Sequence, residues 1–310
     1  MSTDTLPTSA EINSLFANRD PDEVWAKALG IVRRINPAYD PALARTAFDD
    51  VIRMFRGEYP GYCPIKTLYH DLPHTLDVFL CTVRLLHGVH VSGTRISEDE
   101  ITMAMIAALM HDIGYAQSLG EDSGTGAQFT QSHVRRGIEF MRRYLAEKQF
   151  PPGFAAPLEQ LLLSTDPAVT FSELDFPDEC ARLLGKIVAT ADLTGQMADR
   201  TYLEKLLFLF LEFKEAHFGN FQNVHDMLRQ TETFYQRTRK KLDDDLGGTY
   251  AKLAFHFKDT LGVENNYYLE SIEKNIAYLS AVISLDEVEY LSMLKRGGIV
   301  EKVQTIQVPN

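Results

Sequence analysis

The sequence predicts an all-α fold, and three observations carry that prediction. Apolar residues recur at spacings of three and four along most of the chain, the pattern of helices with one buried face. Alternating β-type runs are scarce, and no fixed-period repeat is visible. The stretch Ile101–Tyr115, ITMAMIAALMHDIGY, opens with ten uncharged residues that are apolar except for Thr102, so it reads as a helix hidden on every face.

Taken in order, residues 1 to about 9 read as a disordered leader, and helical periodicity starts near Glu11 with Ile12, Leu15 and Phe16. Val24, Trp25, Ala28, Leu29, Val32 and Ile35 define a second helix, which Asn36-Pro37 ends because proline disfavours helical backbone in the residue before it. A third helix spans about Pro41 to Phe55, and GEYPGYCPIKT, with two Gly and two Pro, is the first clear loop. Further helices are expected at about 72–87, 98–113, 133–149, 156–165, 178–197, 200–216, 223–243, 248–261, 265–284 and 286–296. The best strand-like run is IVEKVQTIQV near the C-terminus. KKLDDDLGGTY reads as a surface turn or a subdomain boundary. The expected organisation is one domain, with helices over residues 1–64 and 216–310 completing a core over 65–215.

With 310 residues the chain can bury a sizeable core without staples. Its three cysteines, Cys63, Cys81 and Cys180, are widely spaced with no CxxC, which argues against a disulfide framework or a thiolate zinc site. The reading is a cytoplasmic protein: no basic segment followed by an apolar one resembles an export signal, and no uncharged run approaches the ~20 residues that span a bilayer. A formal net charge of −12 disfavours an extended nucleic-acid partner. A small phosphorylated substrate bound through metal ions remains compatible with it.

His111 and Asp112 close the most buried helix, and buried charge is normally paired or bound to metal. Upstream, Asp71 suits a helix N-cap and Pro73 a first turn, which starts a helix near Leu72 and leaves His74 beside its apolar stripe. His70 falls just before that helix. Downstream, Cys180, Leu184, Ile187, Val188, Ala191 and Gly195 form the expected buried stripe of another helix, with Asp192 at its margin. His74, His111, Asp112 and Asp192 thus make a His, His-Asp, Asp set suited to zinc, manganese, iron or cobalt, with magnesium able to share the oxygen ligands.

These residues carry a resemblance. Tyr69-His70-Asp71-Leu72-Pro73-His74-Thr75-Leu76-Asp77-Val78 resembles the YHNxxHxxDV signature of class I cyclic-nucleotide phosphodiesterases, within the HD-domain metal-dependent phosphohydrolase superfamily, and His111-Asp112 matches the doublet that names it. SHVRRGIEF at 132–140, LLLSTD at 161–166 and ATADLTG at 189–195 resemble later segments in the same order. Three departures stand out: Asp71 replaces the usual Asn, HDIGY lacks a second acidic-His pair, and there is no HDxxK lysine.

The resemblance implies a helical bundle in which His74, His111, Asp112 and Asp192 ligate one divalent ion and Asp112 bridges to a second. It implies that His70 is the general acid for the leaving oxygen; because the charge of nearby metal ions makes protonating an imidazole costly, a carboxylate partner behind His70 is expected, which the sequence does not name. It also implies that His133 ligates the second ion or contacts phosphate, and that a Gln after the last metal Asp, with Gln222 and Gln230 as candidates, meets the base. The expected activity is hydrolysis of a phosphodiester of a cyclic or other nucleotide. Phosphomonoester hydrolysis and a non-catalytic metal- or nucleotide-binding module are the alternatives, and a homodimer is compatible with either. Phe208, Phe210, Phe213 and Phe218 read first as core packing.

Overall fold

A computed structural model describes residues 15–16, 20–121, 123–286 and 289–306. The expected leader and most of the first helix lie outside them. The fold is all-α, with twelve α-helices and no strand among the described residues. The apolar periodicity predicts most of these helices to within a few residues because each satisfies its own backbone locally and buries one face.

Helices α1 (Pro21–Ile35) and α2 (Ala42–Arg56) flank the central α3 (Leu72–Val91) and α4 (Glu98–Met110). Asp71 caps α3 by accepting the His74 N–H at 2.9 Å, so the acid that departs from the phosphodiesterase pattern still performs the local task. A reciprocal Ser97–Glu100 cap starts α4, whose residues Ala104 to Met110 are all buried. Its lone internal polar residue, Thr102, is partnered by the Tyr39 hydroxyl at 2.9 Å.

Beyond α4, a short 3₁₀ turn at Ile113–Tyr115 leads through a loop to α5 (His133–Glu147), then α6 (Ala155–Leu163) and α7 (Glu179–Ala198). Helix α7 packs along α3 and against α4 and α6. Next come α8 (Tyr202–Glu215), α9 (Val224–Lys240), α10 (Lys252–Leu261), α11 (Tyr267–Ile283) and α12 (Ile299–Thr305). Buried apolar side chains from Val24 to Ile299 form one connected core. At KKLDDDLGGTY, α9 runs into a π-helical turn over Lys241–Asp245, and Leu242 within it and Leu246 just after it are buried in that core.

Three expectations are corrected. The helix expected over 286–296 is, in the described residues, only 3₁₀ turns at Tyr290–Ser292 and Arg296–Gly298, separated at 294–295, which belong to no helix, and the positive φ of Gly297 and Gly298 sets off the helix that follows. The described part of IVEKVQTIQV is helix α12, not a strand. Ile299 and Val303 stand one helical turn apart and pack toward the core, and the described residues offer no strand to pair with. Cys180 is exposed, so the buried stripe of α7 begins one residue later, at Ala181.

Where α3 meets α10 the backbones nearly touch: a Cβ on Gly88 would lie 1.9 Å from the Lys252 carbonyl oxygen. Beside this contact the buried His87 and His256 meet Nδ1 to Nδ1 at 3.0 Å, with Asp259 3.5 Å from His87 Nε2. Burial first, then the nearby Arg84, His87 and Arg34, lowers the His256 pKa to about 2. The unfolded chain therefore binds a proton near pH 6.5 that the folded chain refuses. Stability from this site is full above pH 6.5 and is lost progressively as pH falls below it. Urea unfolding at pH 7.5 and pH 5 should show a loss of roughly 2 kcal/mol from this histidine. His256→Gln should flatten that slope, and an unchanged slope in the variant would refute the assignment.

Candidate metal centre

The ligand atoms predicted from sequence converge. From the first turn of α3, the end of α4 and the residue after it come His74, His111 and Asp112, whose ligand atoms lie within 4.8 Å of one another. His74 Nε2 and His111 Nε2 are 3.1 Å apart, and Asp112 Oδ2 is 3.3 Å from the first and 3.1 Å from the second. Asp192, on α7, brings its Oδ1 to 3.6 and 3.7 Å from the same two nitrogens. Ligands about 2.1 Å from a common ion stand roughly 3.0–3.4 Å apart in cis-octahedral or tetrahedral arrangements, so the spacing of His74, His111 and Asp112 fits a first-row divalent cation, and Asp192 stands a few tenths of an ångström outside that range.

Two further observations favour a cation. Asp112 Oδ2 is buried and, although close to two imidazoles, makes no aligned hydrogen bond with either. A buried carboxylate oxygen left without a hydrogen bond beside two imidazoles suits a site for a common ligand. The tautomer of His111 also follows from geometry, because its Nδ1 sits 2.9 Å from the Ala108 carbonyl oxygen, which can only accept. Nδ1 carries the hydrogen and Nε2 presents its lone pair to the cluster.

The electrostatics agree. Burial pulls the His111 imidazole down, but Asp112 and Asp192 outweigh it and push its pKa up to about 9. Burial likewise opposes ionising Asp112, yet His111 and His70 hold its carboxyl well below the usual carboxylate range. A pocket whose field favours positive charge this strongly is suited to a divalent ion.

His133, the first residue of α5, donates Nδ1–H to the Thr130 carbonyl at 2.7 Å and points Nε2 at the other Asp112 oxygen, 3.6 Å away. It reaches this position because the turn after Asp112 lies flat on α5. A Cβ on Gly114 would fall 1.8 Å from the His133 carbonyl oxygen, so only glycine permits the approach. Arg136 secures the same turn by donating to the Gly114 and Ala116 carbonyls and to Glu121.

His70 sits just ahead of α3, with 17 % of its side chain exposed, and donates Nδ1–H to Glu212 Oε2 at 2.6 Å. This is the carboxylate that the sequence implied but could not name. Burial lowers the His70 pKa, but Glu212 and then Asp112 raise it to about 9 overall. The Tyr115 ring, 1 % exposed, lies nearly parallel to both His70 and His133, at centroid distances of 4.7 and 4.6 Å. His74, His111 and Asp112 thus form a buried floor, and the more exposed His70, His133 and Asp192 form its rim.

Gln222 is not among the converging side chains: it is exposed ahead of α9, with its backbone N–H on Asp226. Gln230 is exposed too, and donates to the same carboxylate at 3.2 Å. Phe208 is buried, Phe210 and Phe213 are partly buried against the core, and Phe218 is 40 % exposed. Glu212, Gln196 and Tyr115 were not singled out from sequence. For Glu212 a signal existed, a lone internal carboxylate in the apolar run LFLFLEF, which needs a buried partner.

No described helix is long and apolar enough to cross a membrane. Among curated proteins none matches this chain. A family model described as Npun_R2479-like matches residues 61–259, a span that holds His70, His74, His111, Asp112, His133, Asp192 and Glu212. Because that match covers more than half of the sequence, the chain belongs to the Npun_R2479-like family.

Proposed function

We propose that this protein is a metal-dependent phosphohydrolase of the HD-domain type that hydrolyses a phosphodiester of a nucleotide-like substrate. The observation that carries the reading is the convergence of His74, His111, Asp112 and Asp192 beside a histidine, His70, that is itself backed by a buried carboxylate. The motif order read from the sequence supports it.

His74, His111, Asp112 and Asp192 would hold one divalent ion, and Asp112 Oδ1 with His133 would hold a second. When bound, such ions supply Lewis acidity, acidifying a water and offsetting charge on the phosphoryl oxygens. Arg136, which secures the turn after Asp112, is itself engaged by Glu121 and two backbone carbonyls. His70 stands at the rim with Nδ1–H held by Glu212, so Nε2 is the atom that delivers a proton to the departing ester oxygen. Glu212 fixes the ring and its charge favours the protonated imidazole.

Elemental analysis of the purified protein, combined with hydrolysis assays on bis(p-nitrophenyl) phosphate and on cyclic nucleotides with added manganese, zinc or magnesium, tests this reading. Metal uptake with turnover is the expected result. Metal uptake with no turnover on any phosphoester would refute hydrolysis and leave a binding module, and the absence of both uptake and turnover would refute the proposal altogether.

A further inference from the structure

Asp192 differs from the other three ligands in being carried well inside a helix rather than at its end, at the margin of the buried stripe, with 15 % of its side chain exposed. A carboxylate in that setting has several rotamers available, so something must hold Oδ1 toward His74 and His111. The structure supplies a chain of two side chains for this. Tyr69, 4 % exposed, donates its hydroxyl to Gln196 Oε1 at 2.6 Å. Gln196, one turn beyond Asp192 on α7, donates Nε2–H to the Asp192 carbonyl at 3.1 Å and to Asp192 Oδ1 at 3.4 Å.

The amide orientation follows from the partners. Reversing Gln196 would set its oxygen against the carbonyl and carboxylate oxygens of Asp192, acceptor against acceptor, and only the present orientation gives every atom a complementary partner. Tyr69 is also tied down at its backbone, where its N–H donates to Glu212 Oε1 at 2.6 Å, the carboxylate that holds His70. One residue therefore touches both supports, through its N–H on the His70 side and its hydroxyl on the Asp192 side.

We propose that Tyr69 and Gln196 are positioning residues that fix Asp192 for metal binding, acting in series so that the Tyr69 hydroxyl locks the Gln196 amide and the amide holds Asp192 Oδ1. The inference rests on the reading that these side chains bind a divalent ion, and it adds two residues that never touch that ion. Groups that orient a metal ligand typically contribute 10- to 100-fold in affinity.

The test is manganese and zinc affinity, measured by competition with a chromogenic chelator, for wild type, Tyr69→Phe, Gln196→Leu and the double variant. Tyr69→Phe removes one oxygen and keeps the packed ring, so it carries the experiment even if Gln196→Leu folds poorly. Both single variants should bind about 10- to 100-fold more weakly, and the double variant no more weakly than Gln196→Leu alone, because the links act in series. The melting temperature without metal should stay close to wild type in Tyr69→Phe, while the gain on adding metal shrinks, a split that a merely structural role would not produce. Affinities within about two-fold of wild type in both single variants would overturn the inference while leaving the metal site standing, as would effects that multiply in the double variant. A wild-type protein that binds no divalent ion would remove the metal site and this inference with it.

Discussion

Asp112→Ala is expected to abolish divalent-metal uptake, whereas His70→Ala is expected to retain it. Among the described residues, Asp112 is the carboxylate placed to face both proposed ions. Its Oδ2 stands 3.1 Å from His111 Nε2 and 3.3 Å from His74 Nε2, and its Oδ1 stands 3.6 Å from His133 Nε2. Removing it takes a ligand from each proposed ion at once and leaves His74 and His111 with only the more distant Asp192 carboxylate, at 3.6 and 3.7 Å, beside them. His70 has its Nδ1 committed to Glu212, so its loss should not strip the metal. Elemental analysis after exhaustive dialysis gives the comparison, with Asp112→Asn as a near-isosteric control for folding. Equal metal content in wild type and Asp112→Ala would refute the bridging assignment.

His70→Ala should cost about 10²- to 10⁴-fold in kcat on an alkyl phosphodiester, the usual contribution of a positioned general acid. A nitrophenyl leaving group is stable as an anion and needs little protonation, so on that ester the defect should shrink markedly. Glu212→Gln should show the same dependence on leaving group in milder form: it keeps a hydrogen-bond acceptor for Nδ1–H but removes the charge that favours the imidazolium. A wall residue that merely shaped the pocket would slow both esters alike. Equal losses on the two substrates would therefore show that His70 is not the proton donor.

What could be read before the structure, and what could not, divides along a physical line. The helices were legible because an α-helix makes its hydrogen bonds within itself, and the spacing of its apolar residues records which face is buried. The strength of the Ile101–Met110 segment as a buried helix came from that local record, as did the capping role of Asp71. Where the local record was ambiguous the reading slipped. IVEKVQTIQV carries apolar residues that suit either period, and only the lack of a strand to pair with among the described residues, together with the Gly297-Gly298 interruption, makes its described part a helix.

The site divides in the same way. Sequence by itself determined the helical class, and it offered His74, His111, Asp112 and Asp192 as ligand candidates, because an imidazole or carboxylate at the end or margin of an apolar helix is anomalous within its own neighbourhood. Tertiary structure alone decided their supports. Glu212 lies 142 residues from His70, and Gln196 lies 127 residues from Tyr69, separations at which no local pattern constrains pairing. Those contacts exist because α7 and α8 pack close to the start of α3, and the packing is a property of the whole assembled core rather than of any stretch of chain. The tautomers of His111 and His133 were settled likewise, by the carbonyls of Ala108 and Thr130 that the fold sets against their Nδ1 atoms.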